Sequence, residues 1–71
     1  MENFILEVKS NGKWVQYPEQ AADMTLALMN FMLQRGVQSR AIAHINGHID
    51  VFNINEMSEV LLAQVEYPGF H

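Results

Sequence analysis

Two Asn-Gly pairs, Asn11-Gly12 and Asn46-Gly47, each stand between runs of β-branched, aromatic and alternating residues. Asn-Gly in that setting is the strongest short-range hairpin signal. A two-residue type I′ turn needs positive φ at both central positions, and these residues tolerate it best. Two hairpins are therefore expected. Pairing across the first turn sets Lys9 opposite Trp14, Val8 opposite Val15 and Leu6 opposite Tyr17. Side chains alternate along a strand, so one face carries Phe4, Leu6, Val8, Val15 and Tyr17, and the other Ile5, Glu7, Lys9, Trp14 and Gln16. The first is the expected core side. In the second hairpin the same pairing sets Ile45 opposite His48, His44 opposite Ile49 and Ile42 opposite Val51. Ile42, Ile49 and Val51 are expected on the core face, with Ala41, Ala43, Asp50 and Phe52 on the other. A three-residue loop with a bulge would change the parity of one strand.

Between the hairpins, Pro18 suits a first helical position and Glu19 the first turn, where the helix dipole favours a negative charge. The helix is expected to run to about Arg35 and close on Gly36. Gln20, Asp23, Ala27, Asn30 and Gln34 make a narrow polar stripe, with Thr25, Leu28, Met29 and Met32 opposite. Leu26 and Leu33 flank the core side, while Met24 and Phe31 fall beside the polar stripe. In the tail, Asn53 or Asn55 would cap a second helix, with Met57, Val60, Leu61 and Val65 at helical spacing and Pro68 as a stop. Residues 59–67 also alternate as a strand would; the helix is the favoured reading. The expected fold is a single α+β domain over residues 1–71: a ββαββ antiparallel sheet, one long helix on one face, and a short C-terminal helix.

The chain has 71 residues, 49% of them apolar and 17% charged, a balance that suits a packed globule. Cores of this size rarely yield more than about 3–5 kcal/mol without a staple. With no cysteine, neither a disulfide nor a thiolate zinc site supplies one. Self-association or a bound partner is the expected remedy. Net charge is −4, with only Lys9, Lys13, Arg35 and Arg40 positive, too few and too scattered for a phosphate-binding stripe. Direct nucleic-acid binding is therefore not expected; an acidic chain is better suited to basic protein surfaces. The residues Met1-Glu2-Asn3-Phe4 do not read as a signal peptide, and no apolar run is long enough to span a bilayer, so a cytoplasmic location is expected.

Chemistry-bearing constellations are sparse. A two-residue turn points His44 and His48 to opposite faces; only a bulged turn would bring them together, with Asp50 as third ligand, and His71 stands apart. No metal and no cofactor are expected. Ser10, Ser39 and Ser58 lack a nucleophile-elbow context, no glycine-rich phosphate loop exists, and nothing brings two of Glu7, Asp50 and Glu56 together for acid–base work. An enzyme is not expected.

The sheet face opposite the core is more informative. Trp14 is the only tryptophan, and it falls there with Ile5, Glu7, Lys9 and Gln16. Tryptophan is prominent in interface hot spots. Phe52 and Asp50 would join this face if the second hairpin pairs beside the first. The competing reading is that Trp14 lies over Lys9 as a cation–π pair, or is covered by Tyr67 and Phe70. Met24 and Phe31 form a second candidate patch, which would otherwise receive the terminal helix. Glu19, Asp23, Glu56, Glu59 and Glu66 are read as a solvated acidic face.

Two hairpins around one helix in a short, acidic, cysteine-free chain resemble small phage accessory proteins, the anti-CRISPR inhibitors among them. The resemblance is one of layout, from Phe4 through Phe52, and carries no functional residues. It implies a small inhibitor or regulator that acts without chemistry, by occupying a surface of a larger host defence complex. A homodimeric structural or accessory subunit is the alternative.

Overall fold

The computed structural model describes residues 3–45 and 47–69. In chain order these form β1 (Asn3–Ser10), β2 (Lys13–Gln16), β3 (Gln20–Ala21), α1 (Ala22–Gln34), β4 (Ser39–Ile45), β5 (His48–Phe52) and α2 (Ile54–Gly69). The strands make one antiparallel sheet in the order β2-β1-β4-β5, with the two-residue β3 continuing along the same side of β1 as β2. The α+β plan of two hairpins around a helix is the expected one. Asn11 and Gly12 hold φ of 52° and 77°, the double positive φ that the first turn requires.

The first helix begins later than Pro18. Val8 pairs with Val15 and Glu7 with Gln16, but Phe4 pairs with Gln20 and Asn3 with Ala21. The register thus slips by one residue around Pro18, which has no N–H to give the ladder; the extra residue bulges out. Gln20 and Ala21 then complete the pairing of β1 before the chain turns into α1 at Ala22. Backbone pairing outcompetes the early helix start. No side chain caps the N-terminus of α1, and the Thr25 hydroxyl donates to the Ala21 carbonyl at 2.9 Å. The other end closes firmly. Gly36, at φ 73°, donates to the Leu33 carbonyl at 3.0 Å, and Val37 to the Met32 carbonyl at 2.9 Å, a Schellman closure.

The tail is helical, because Asn53 and Glu56 cap it reciprocally. The Glu56 amide donates to Asn53 Oδ1 at 2.9 Å, and the Asn53 amide to Glu56 Oε1 at 2.8 Å. The helix carries on through Pro68 to Gly69 rather than stopping before it. A proline in a final turn forfeits a single backbone bond, which an established helix tolerates.

Both helices pack on the same side of the sheet. The core is Phe4, Leu6 and Val8 of β1, Ala41 and Ala43 of β4, Ala22 and Met29 of α1, and Met57 of α2. Phe52 meets Phe4 edge to face at 5.8 Å between ring centres. Thr25 is buried with Met29, and Leu28 and Met32 are half-buried, so the expected core side of α1 holds.

The second hairpin faces the opposite way from expectation. Its internal pairing is as anticipated, with Ile45 opposite His48 and Ile42 opposite Val51. But Leu6 pairs with Ala41 and Ile5 with Ile42, so the alanines share the covered side of β1 and the isoleucine the open side. Ile49 and Val51 are 63% and 50% exposed, while Ala41 and Ala43 are buried. A turn specifies which residues face each other across a hairpin, not which side the helices cover. Here close approach of two helices selects the small side chains. Val15 and Tyr17 lie on the expected side of the first hairpin yet are exposed, because β2 is the sheet edge, away from the helices.

Ala43→Leu should overpack the helix–sheet seam and cost about 1–3 kcal/mol, whereas Ile49→Thr should stay within roughly 0.5 kcal/mol of the parent in urea unfolding. The reverse order would restore the opposite facing. Asn53→Ala should cost about 1 kcal/mol and reduce helical circular dichroism.

Candidate functional site

The side of the sheet away from the helices carries a polar cluster at one end and an apolar row at the other. Alternation along β1 puts Ile5, Glu7 and Lys9 on this side, and the register adds Gln16 and Trp14 from β2 and Arg40 and Ile42 from β4. Glu7 is the organising residue. Its side chain is buried, accepting from Gln16 Nε2 at 3.1 Å on Oε2 and from Arg40 Nε at 2.7 Å on Oε1. Arg40 lies with its guanidinium carbon 3.9 Å from the centre of the Trp14 ring, and Lys9 Nζ is 4.9 Å from the same ring. The indole thus roofs a charge pair and draws two cations to its π-system.

The hydrogen bonds from Gln16 and Arg40, with the Arg40 charge, lower the Glu7 pKa from the ordinary 4.5 against the opposing pull of burial. A carboxyl made more acidic by folding adds stability that is complete above its unfolded value. That stability is lost as pH falls through the lower folded value.

The apolar row runs across three strands. Ile5 of β1 pairs with Ile42 of β4, which pairs with Val51 of β5; Ile49 follows beside Val51, opposite His44. Ile5 and Ile42 are half-buried by their neighbours, while Ile49 and Val51 stand out into solvent. No described helix covers this side.

Of the residues singled out from sequence, Ile5, Glu7, Lys9, Trp14 and Gln16 come together as expected. Phe52 and Asp50 do not join them. The inverted facing of the second hairpin puts both on the helix side, with Phe52 against Phe4 and Asp50 exposed opposite Ala43. Met24 and Phe31 are exposed on α1, far in the fold from the sheet face, and Arg35 covers the Phe31 ring at 4.3 Å. Trp14 does lie over Lys9, and is half-buried; the side chains of Tyr67 and Phe70, the other possible cover, lie outside the described residues, as do those of Glu66 and His71. Sequence reasoning missed Arg40, Ile42, Ile49 and Val51. The small alanines at 41 and 43, alternating with large residues, were the signal that the large ones face outward.

Other chemistry is thin. His44 and His48 point to opposite faces, since His44 pairs with Ile49 and Ile45 with His48. Among the described residues no three His, Asp or Glu groups stand close enough to hold a metal ion, and no helix is long and apolar enough to cross a membrane. A groove of about 220 Å³ opens between the end of α1 and the start of α2, lined by Met29, Leu33, Val37, Gln38, Ser39, Asn53 and Ile54. Comparison with known proteins finds no matching family model, curated protein or solved structure.

Glu7→Gln should flatten the dependence of stability on pH below 4.5, in acid titrations followed by circular dichroism, relative to the parent. Arg40→Ala should leave the buried carboxylate short of a partner, lower stability at neutral pH by roughly 1–3 kcal/mol, and move acid unfolding to higher pH. An unchanged acid limb in both variants would remove Glu7 from its central place.

Proposed function

We propose that this chain is a non-catalytic protein-binding module of the inhibitor or regulator kind, which works by occupying a surface of a larger complex with its open sheet face. One observation carries the reading. A sheet covered by helices on one side presents, on the other, an apolar row beside a Trp–Arg pair already fixed by a buried carboxylate. Tryptophan and arginine dominate interface hot spots, and an anchor held in place beforehand loses little conformational entropy on binding. Flat, apolar and rimmed by polar groups, such a face suits a protein partner better than a small molecule.

The net charge of −4 supports a partner with a basic surface, through long-range attraction. Glu19, Asp23, Glu56 and Glu59, all exposed, supply that field from the helix layer and its loops, while the docking face itself carries Lys9 and Arg40. The layout resemblance to anti-CRISPR inhibitors favours a host defence complex as the class of partner, met in the host cytoplasm. A homodimeric accessory subunit is the second reading, favoured by the thin core and an unpaired sheet edge.

The test is affinity capture from candidate host lysates, with Trp14→Ala and Ile5→Glu as paired variants, each first shown to be folded by circular dichroism. Binding of the captured complex should weaken about thirtyfold or more in both, the loss expected from a hot-spot residue. Full-strength capture by both folded variants would sink the docking role of this face.

A further inference from the structure

The geometry points to homodimerisation through β5, whose outer edge pairs antiparallel with β5 of a second copy, centred on Ile49, to make one continuous sheet. The inference rests on the second reading above, the homodimer, and not on the docking role proposed for the open face.

The two edges of the sheet differ. At the β2 edge the strand is short, carries Lys13, and is broken by Pro18 and its bulge, all features that block strand addition. The β5 edge has no proline, lysine or bulge, and His48, Ile49, Asp50 and Val51 are all exposed. A two-residue turn closes on a hydrogen-bonded pair, so His48, Asp50 and Phe52 spend their backbone groups on β4, and Ile49 and Val51 aim theirs outward. The same rule holds in the first hairpin, where Tyr17 donates to the Leu6 carbonyl at 2.8 Å.

Two-fold symmetry leaves few registers for this edge, and charge selects among them. A pairing centred on Asp50 sets two aspartates directly opposite each other, which is unfavourable. A pairing centred on Val51 calls on the Asn53 amide, which is already committed to Glu56 Oε1 at 2.8 Å. A pairing centred on Ile49 lets the two Ile49 residues exchange both backbone bonds and sets each His48 opposite the second copy's Asp50. That pair is complementary in hydrogen bonding, and it is made twice. The register also joins Ile49 and Val51 of each copy into one apolar strip across the two-fold axis.

Sedimentation equilibrium across a concentration series tests this. The parent should approach twice the 8.1 kDa chain mass as concentration rises. Ile49→Pro should abolish the dimer while keeping the parent's circular dichroism, since that amide serves no intramolecular bond among the described residues. His48→Glu and Asp50→Lys should each weaken association roughly three- to tenfold, and the two together should restore it. A parent that stays monomeric at the highest soluble concentration overturns the inference. So does a dimer that survives Ile49→Pro in a folded protein, or a double variant no better than the singles.

Discussion

The pairing of β1 with β4 decides which half of this molecule is covered and which is open. Leu6 opposite Ala41 and Ile5 opposite Ile42 are neighbouring pairs in one ladder, and a one-residue slip would exchange their sides. With the observed register, Phe4, Leu6 and Val8 share a face with Ala41 and Ala43, and the helices find room above the alanines. The same register brings Arg40 opposite Glu7, so the buried carboxylate meets its cation only in this pairing. Core packing and the polar cluster on the reverse side therefore enforce one another. Burial of a carboxylate without that partner would be costly, which penalises the slipped sheet from the open side as well.

With so few residues to bury, the remaining stability comes from well-made local structure. The reciprocal Asn53–Glu56 cap and the Schellman closure at Gly36 satisfy backbone groups that a thin core would otherwise leave to solvent. These devices sit where chain segments change direction, and so also fix the angles at which α1 and α2 leave the sheet. Both devices sit beside the groove, whose lining includes Val37 and Asn53. Gln20 departs from good local chemistry. Its side-chain nitrogen is buried with no partner among the described residues, a cost that follows from the bulge at Pro18 turning this residue toward the core side.

The open face combines two kinds of surface. In the Trp14–Arg40–Glu7 cluster each member is held by the next, through the ion pair and the stacking of Arg40 on the indole. The row from Ile5 through Ile42 to Val51 supplies apolar area without direction. Together they set a polar cluster beside an apolar row on one side of the sheet, and β5 closes that side as an edge strand.

From the residues alone, both hairpins, the first turn's conformation, the pairing within each hairpin, the core side of α1 and a tail-helix cap at Asn53 or Asn55 were legible. Each follows from contacts or dihedral preferences within about ten residues of chain, such as the positive φ of Asn11 and Gly12. The cluster of Ile5, Glu7, Lys9, Trp14 and Gln16 was legible for the same reason: strand alternation and one turn place all five. The facing of the second hairpin, and with it the places of Phe52, Asp50, Ile42, Ile49 and Val51, was decided only in the tertiary structure. Hydrophobicity pointed the large β-branched residues inward, but the pairing of β4 with β1 sets Ala41 and Ala43 beneath the helices instead. The partner of Glu7 was equally hidden, because Arg40 lies 33 residues away and meets it through a strand pairing that no local pattern encodes. Local dihedral preference writes the elements into the chain; the volume between layers, a property of all of them at once, chooses which side each one shows.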